Sequence, residues 1–110
     1  MNGEVISAKL ESLSRCLARI VLWTPQSAAD LRADLDAQDI ISVNLQRAVQ
    51  LCVDAASVLI SDRGWESAAT MADSFTRLAE NGVIAEQLAE SLRRSVGFRN
   101  VAVHEYQDVD

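Results

Sequence analysis

The sequence is poor in the residues that interrupt helices and in those that build most catalytic centres. It contains one proline, four glycines, two tryptophans, two phenylalanines, one tyrosine and one histidine. Hydrophobic residues make up 49% of the chain, most of them Ala, Leu, Val and Ile. This composition favours an all-α fold over a sheet. With 110 residues, the chain is predicted to form a single domain, residues 1–110.

Cysteine and long apolar runs are also scarce. Cys16 and Cys52 lie far apart among apolar helical positions, with no CxxC or CxxH spacing, which argues against a zinc site. We expect two buried, reduced thiols, no metal and no cofactor. No apolar run approaches the length of a membrane span, and the beginning of the chain lacks the pattern of a signal peptide. A cytoplasmic protein is therefore expected.

Basic residues are outnumbered, and the net charge of −6 argues against non-specific binding of nucleic acid. The charges are unevenly distributed along the chain. Acidic residues gather early, at Asp30, Asp34, Asp36 and Asp39. Arginines gather near the end, at Arg93, Arg94 and Arg99. A locally basic site on an acidic protein is compatible with this distribution.

The spacing of apolar residues predicts an antiparallel bundle of about four helices. The first is expected over residues 4–23, where Thr24-Pro25 stops it. The second is expected from a cap at Asp36 to residue 61 or 62, where Asp62-Arg63-Gly64 ends it. A short helical turn or an ordered connector is expected over residues 26–37. A short third helix would be capped by Thr70 or Asp73 and end at Asn81-Gly82, and the fourth would begin near Ile84 or Ala85.

The second of these helices has two apolar sides, which predicts a central position with burial on both. A narrow polar line runs between them, at Arg47, Gln50, Asp54, Ser57 and Ser61. This line fits either a solvated edge or a polar seam in an oligomer, and we favour the edge.

The segment Arg99-Asn100-Val101-Ala102-Val103-His104-Glu105-Tyr106 places an arginine within eight positions of the only histidine and the only tyrosine. Arginine stays charged at all relevant pH values, whereas histidine titrates near neutral pH. Such a pair can stabilise a phosphate and transfer protons around it. A purely structural role at a helix end is the alternative.

Helical geometry separates these residues. Positions five apart differ by about 140° around an α-helix and positions seven apart by only about 20°. Arg99 and Tyr106 would share a face, and His104 would lie on another. Either the helix breaks within the motif, or two chains contribute one motif each. Metal-independent RNA cleavage needs a base, an acid and a cation, and a two-fold dimer would supply two histidines and two arginines. This chemistry favours the arrangement in which two chains contribute one motif each.

The same residues resemble a known family. Arg99, four intervening residues, His104, one residue and Tyr106 match the RX4HXY signature of HepT-like toxins in the HEPN superfamily, and Asn100 fits the polar residue usual after the arginine. Further segments resemble the family in the expected order: Asn44-Leu45-Gln46-Arg47-Ala48, Asp73-Ser74-Phe75-Thr76-Arg77-Leu78-Ala79 and Val96-Gly97-Phe98-Arg99-Asn100.

The resemblance implies a HEPN-like all-α homodimer, in which the paired motifs form a metal-independent ribonuclease site acting on RNA, including tRNA. In such a site Arg99 would stabilise phosphate, His104 would act as acid and base, and Asn100 would orient the site. Tyr106 would receive AMP from an MntA-like minimal nucleotidyltransferase antitoxin. A bulky anionic nucleotide there would repel RNA.

The resemblance also implies a further long helix after the motif, whereas this chain ends at Asp110. We therefore expect either a shortened form or apolar faces covered by another subunit. Two alternatives to a ribonuclease toxin remain at this point. One is a non-catalytic HEPN-type binding module that docks a nucleotidyltransferase. The other is a helical assembly protein in which the motif is a structural cap.

Overall fold

A computed structural model of the chain describes the backbone of residues 2–108 and the side chains of residues 2–100. The described chain forms five helices: α1 (Asn2–Trp23), α2 (Ala28–Ala33), α3 (Leu35–Arg63), α4 (Met71–Glu80) and α5 (Glu86–Asp108). The all-helical prediction is confirmed. The prediction of about four helices treats α2 as a short helical turn, one of the two expectations for residues 26–37, and the structure shows this turn as a helix of six residues.

The boundary between α2 and α3 corrects the predicted cap. Asp34, and not Asp36, precedes α3, and its side chain accepts a hydrogen bond from the Ala37 amide at 3.0 Å. The backbone of Asp34 is extended, with φ −116° and ψ 94°, so this residue also ends α2. Asp36 lies inside the first turn of α3. There its negative charge interacts favourably with the positive, N-terminal end of the helix dipole, but Asp36 is not the cap.

The other predicted boundaries agree closely with the structure. Helix α1 ends at Trp23, before Thr24-Pro25. Gly64 ends α3 in the left-handed conformation, with φ 68°, and the Trp65 amide donates to the Ile60 carbonyl at 3.1 Å. Thr70 is the cap of α4, since its hydroxyl accepts from the Asp73 amide at 3.1 Å.

Helix α3 is the central element and is buried on two sides, as predicted. One side forms the main core with α4 and α5: Val49, Val53, Ala56, Ile60, Phe75, Leu78, Ala89 and Val96. Helix α1 packs along another side of α3 and runs antiparallel to it, because Asn2 at its beginning bonds Asp62 near the end of α3. The core thus fixes α5 through Ala89 and Val96, and α5 carries the motif.

Candidate functional site on α5

Helix α5 runs without interruption through the whole Arg99–Tyr106 motif. It spans Glu86–Asp108, so neither Gly97 nor the β-branched residues of the motif break it. The possibility that a helix break brings Arg99 and His104 together within one chain is therefore wrong. On a continuous helix the two positions lie about 140° apart.

Arg99 lies next to the side of α5 that faces the core. It is seven positions after Leu92, which packs against the core, so the two positions differ by only about 20° around the helix. This placement explains why Arg99 is half-buried although it is charged. The buried Nε atom of Arg99 has no hydrogen-bond partner among the described residues.

Asn100 holds the other end of the guanidinium group. Its Oδ1 atom accepts a hydrogen bond from Nη1 of Arg99 at 3.4 Å, which is long for such a contact. The structure thus brings together two of the four predicted site residues. Arg99 still has donors to offer an anion, and none of the described carboxylates forms an ion pair with it.

His104 and Tyr106 belong to α5, but their side chains lie outside the described residues. Their backbone positions follow from the helix. Position 106 lies about 20° from Arg99, and position 104 lies about 20° from Gly97, seven residues earlier. Gly97 is exposed, and a Cβ atom built on it would have no neighbour within 4 Å. The side of α5 that carries positions 97 and 104 is therefore open at Gly97.

The arginines near the motif differ in their availability. Arg94 pairs with Glu90, with 2.7 Å between Nη2 and Oε1, as the i, i+4 spacing suggests. Arg93 pairs with Glu86 and also donates to the Thr76 hydroxyl at 3.2 Å. The predicted basic concentration around Arg93, Arg94 and Arg99 thus leaves Arg99 as the member without an ion pair among the described side chains.

The two cysteines form no disulfide, as expected. Cys16 is buried and Cys52 is half-buried, and burial raises the pKa of the Cys52 thiol above its ordinary value. The described side chains include no group of three or more His, Cys, Asp or Glu residues placed to hold a metal ion. Within the described range, no helix is both long and apolar enough to cross a membrane.

An all-helical bundle whose last described helix carries an RX4HXY motif defines the class of HEPN domains. The chain belongs to the HepT-like family of this class, since the family model described as "Ribonuclease HepT-like" matches residues 10–110.

Two relatives extend the comparison. The mRNA nuclease HepT of Shewanella oneidensis is 33% identical over 108 residues, which cover 98% of this chain and 80% of the relative. The tRNA nuclease HepT of Aphanizomenon flos-aquae is 27% identical over 106 residues, which cover 96% of this chain and 72% of the relative.

Two solved structures share the fold. A crystal structure of a toxin–antitoxin pair with AMP-PNP has a TM-score of 0.87 and 32% identity, covering 97% of this chain and 80% of the other. The tri-AMPylated Shewanella oneidensis HEPN toxin in complex with MNT antitoxin has a TM-score of 0.86 and 33% identity, covering 96% of this chain and 79% of the other. The predicted family is confirmed.

Proposed function

We propose that this chain is the toxin of a toxin–antitoxin pair and acts as a metal-independent endoribonuclease. Its site would combine Arg99 and His104 of two copies, with Asn100 orienting Arg99, and RNA, including tRNA, as the substrate. The observation that carries the proposal is the unbroken course of α5 through the motif. Since Arg99 and position 104 lie on different sides of that helix, one chain does not join them, and a two-fold dimer offers a way to do so.

The chemistry of the proposed site follows from its residues. Arg99 keeps its charge and retains unused donors, so it can stabilise the extra negative charge of a phosphorane. One His104 would remove the proton from the ribose 2′-hydroxyl, which then attacks the phosphorus. The His104 of the second copy would give a proton to the departing 5′-oxygen. A cyclic phosphate and a free 5′-hydroxyl would result.

Surface next to Arg99 supports a homodimer around the motif. Phe98 is 42% exposed although it is a large apolar side chain, and Gly97 beside it has open space around its Cβ position. Exposed aromatic surface beside a polar site is typical of a protein interface. A second copy approaching α5 would cover Phe98 and bring in its own motif.

Regulation would fall to Tyr106, the only tyrosine of the chain. The Shewanella relative is tri-AMPylated in its complex with antitoxin, which supports AMP transfer by an MntA-like nucleotidyltransferase to this chain as well. Position 106 shares a side of α5 with Arg99, so a nucleotide attached there would bring negative charge toward the phosphate-binding group.

The cleavage assay uses purified protein, tRNA and EDTA, with wild type compared to His104→Ala. Cleavage by wild type and its loss in the variant are expected. Intact RNA with the wild-type protein would refute the nuclease. If that protein still bound the nucleotidyltransferase, it would be a non-catalytic docking module.

A mixing experiment tests the composite site. His104→Ala is co-refolded with wild type at equal amounts, so that dimers form at random. If both histidines are needed, activity falls to about a quarter of that of the same total amount of wild type, whereas self-sufficient chains would retain about half. A value near one half would refute the two-copy site and leave the nuclease assignment standing.

AMP transfer is tested by mass spectrometry after incubation with ATP and the partner nucleotidyltransferase. Wild type should gain AMP, and Tyr106→Phe should gain none, because the acceptor hydroxyl is missing. Modification of both proteins to the same extent would remove Tyr106 from the regulatory role.

A further inference from the structure

A cleft of about 420 Å³ lies between α1 and α3, on elements that the proposed catalytic motif does not use. Its lining is rich in guanidinium groups, with Arg15 and Arg19 from α1 and Arg47 from α3. Because residues four apart lie one helical turn from each other, Arg15 and Arg19 face the same groove. The cleft is therefore a concentration of positive charge on an acidic chain.

The arginines of the cleft are largely free of acidic partners. Arg19 and Arg47 are exposed and form no ion pair with any described side chain. Arg15 approaches Glu11 only at 3.8 Å, with both side chains mostly exposed, and such pairs contribute little. The one acidic residue that lines the cleft, Asp54, is bonded by Gln50 at 2.8 Å and lies 3.9 Å from Lys9.

Asn44, which lines this cleft, carries a buried acceptor without a partner in the described part of the chain. Asn44 is only 3% exposed, and its Nδ2 atom donates to the Ile40 carbonyl at 2.8 Å. That bond fixes the orientation of the amide, so the other atom is an oxygen. This Oδ1 atom is buried and has no partner among the described residues. An unsatisfied buried acceptor is unfavourable, and a ligand carrying a hydrogen-bond donor would relieve this cost.

We propose that the α1–α3 cleft binds a stretch of single-stranded RNA outside the scissile position. Arg19 and Arg47 would contact phosphates, Arg15 would add a third cation, and Asn44 Oδ1 would accept a hydrogen bond from a ribose hydroxyl or a base amino group. This inference rests on the proposed function, since it names a second contact surface for the same RNA.

RNA matches both the positive charge and the unpaired acceptor of the cleft. A chain of net charge −6 repels a polyanion, so its substrate must approach through a local basic surface. Near the motif, Arg93 and Arg94 are engaged with glutamates, whereas the cleft offers unpaired arginines. RNA also brings donor groups together with its phosphates, which matches the unpaired acceptor of Asn44.

The test measures the Kd of a fluorescein-labelled single-stranded RNA by anisotropy over a range of KCl concentrations. All proteins carry His104→Ala so that the RNA stays intact. Arg19→Ala/Arg47→Ala should weaken binding at least about tenfold at low salt. The slope of log Kd against log salt should fall by about 1.4, which is about 0.7 for each lost phosphate contact.

The matched control is Arg32→Ala/Arg63→Ala. It removes the same charge from two exposed arginines that do not line the cleft, so its Kd should stay within about twofold of the parent protein. Asn44→Ala should raise the Kd several-fold and leave the salt slope unchanged, because no phosphate contact is lost. An unchanged Kd for Asn44→Ala would remove that residue from the site.

Three results would separate the claims. Equal binding by the Arg19/Arg47 variant and its control overturns the RNA cleft, whatever the cleavage assay shows. If that variant binds RNA normally but loses affinity for the nucleotidyltransferase, the cleft is a protein-docking surface instead. If the protein with His104 intact does not cleave RNA, the proposed nuclease fails, and the binding data still decide the cleft.

Discussion

Arg99 combines a fixed charge with donors that the fold leaves unused. Its Nη1 contact with Asn100 is long and no described carboxylate pairs with it, so the guanidinium group keeps donors that can bind a phosphate. A lysine would keep the charge but lose the planar fork and the Nε donor.

We expect Arg99→Lys to lower the single-turnover rate of RNA cleavage by about a hundredfold or more, because a donor directed at the transition state is lost. Arg94→Lys is the matched control. It lies on the same helix, its side chain is 78% exposed and it pairs with Glu90, so its rate should equal that of wild type. Equal rates for Arg99→Lys and wild type would show that only charge is needed at position 99.

At the scale of the helices, local chemistry sets where each one begins and ends. Asp34 ends α2 and caps α3, so this residue serves two helices with no linker between them. Asp36 is two residues further on and makes only a favourable charge contribution inside the first turn.

Asp34→Ala should therefore lower the free energy of unfolding by about 1 kcal/mol, within a range of about 0.5–2. Asp36→Ala removes the same charge but no cap, so it should cost about half as much or less. Urea unfolding followed by circular dichroism measures both values. A larger loss for Asp36→Ala would place the cap at Asp36.

Gly97 inside α5 and Gly64 at the end of α3 offer a second comparison. Gly97 is interior to α5 with open space at its Cβ position, so Gly97→Ala should raise the free energy of unfolding by about 0.5–1 kcal/mol. Gly64 has φ 68°, so the same substitution there should lower it by about 1–2 kcal/mol. The midpoint of thermal unfolding should therefore rise for Gly97→Ala and fall for Gly64→Ala. A decrease for Gly97→Ala would contradict an open position.

Much of this architecture is readable from the sequence, since apolar spacing and caps are local signals. Thr24-Pro25, Gly64 and Thr70 mark boundaries that the structure confirms. Helix α2 is harder to predict because it has six residues and buries none of them, so it leaves no apolar period.

The candidate site likewise has parts that local sequence signals predict and parts that depend on packing. Arg99 and Asn100 are recognisable as a motif, whereas the half-burial of Arg99 depends on how α5 packs, which is not local information. The α1–α3 cleft is harder still to predict, because its arginines come from two helices far apart in sequence. The available signals lie on the central helix: Asn44, a polar residue among apolar positions, and the members of the polar line that border the cleft, Arg47, Gln50 and Asp54.

The whole molecule uses its two phenylalanines in different ways. Phe75 is 1% exposed in the core that joins α3, α4 and α5, whereas Phe98 is 42% exposed beside Arg99. The first holds the chain together, and the second is free to contact another copy.

Phe75→Ala should lower the free energy of unfolding by about 3–5 kcal/mol, because it leaves a cavity in the main core. Phe98→Ala should leave the fold of the single chain nearly unchanged but weaken the proposed homodimer and, with it, the proposed RNA cleavage. Denaturant unfolding and sedimentation equilibrium separate the two effects. An unchanged dimer in Phe98→Ala would place the interface elsewhere on the chain.

The unbroken course of α5 makes the motif sensitive to the length of the chain before it. Val96 is locked in the core, and Arg99 follows three residues later on the same rigid rod. Deleting one residue between them would turn everything beyond by about 100° and draw it back by about 1.5 Å. The core therefore sets the direction in which the motif points around the axis of α5. Residues 97–98, between Val96 and Arg99, should accept substitutions far more readily than insertions or deletions.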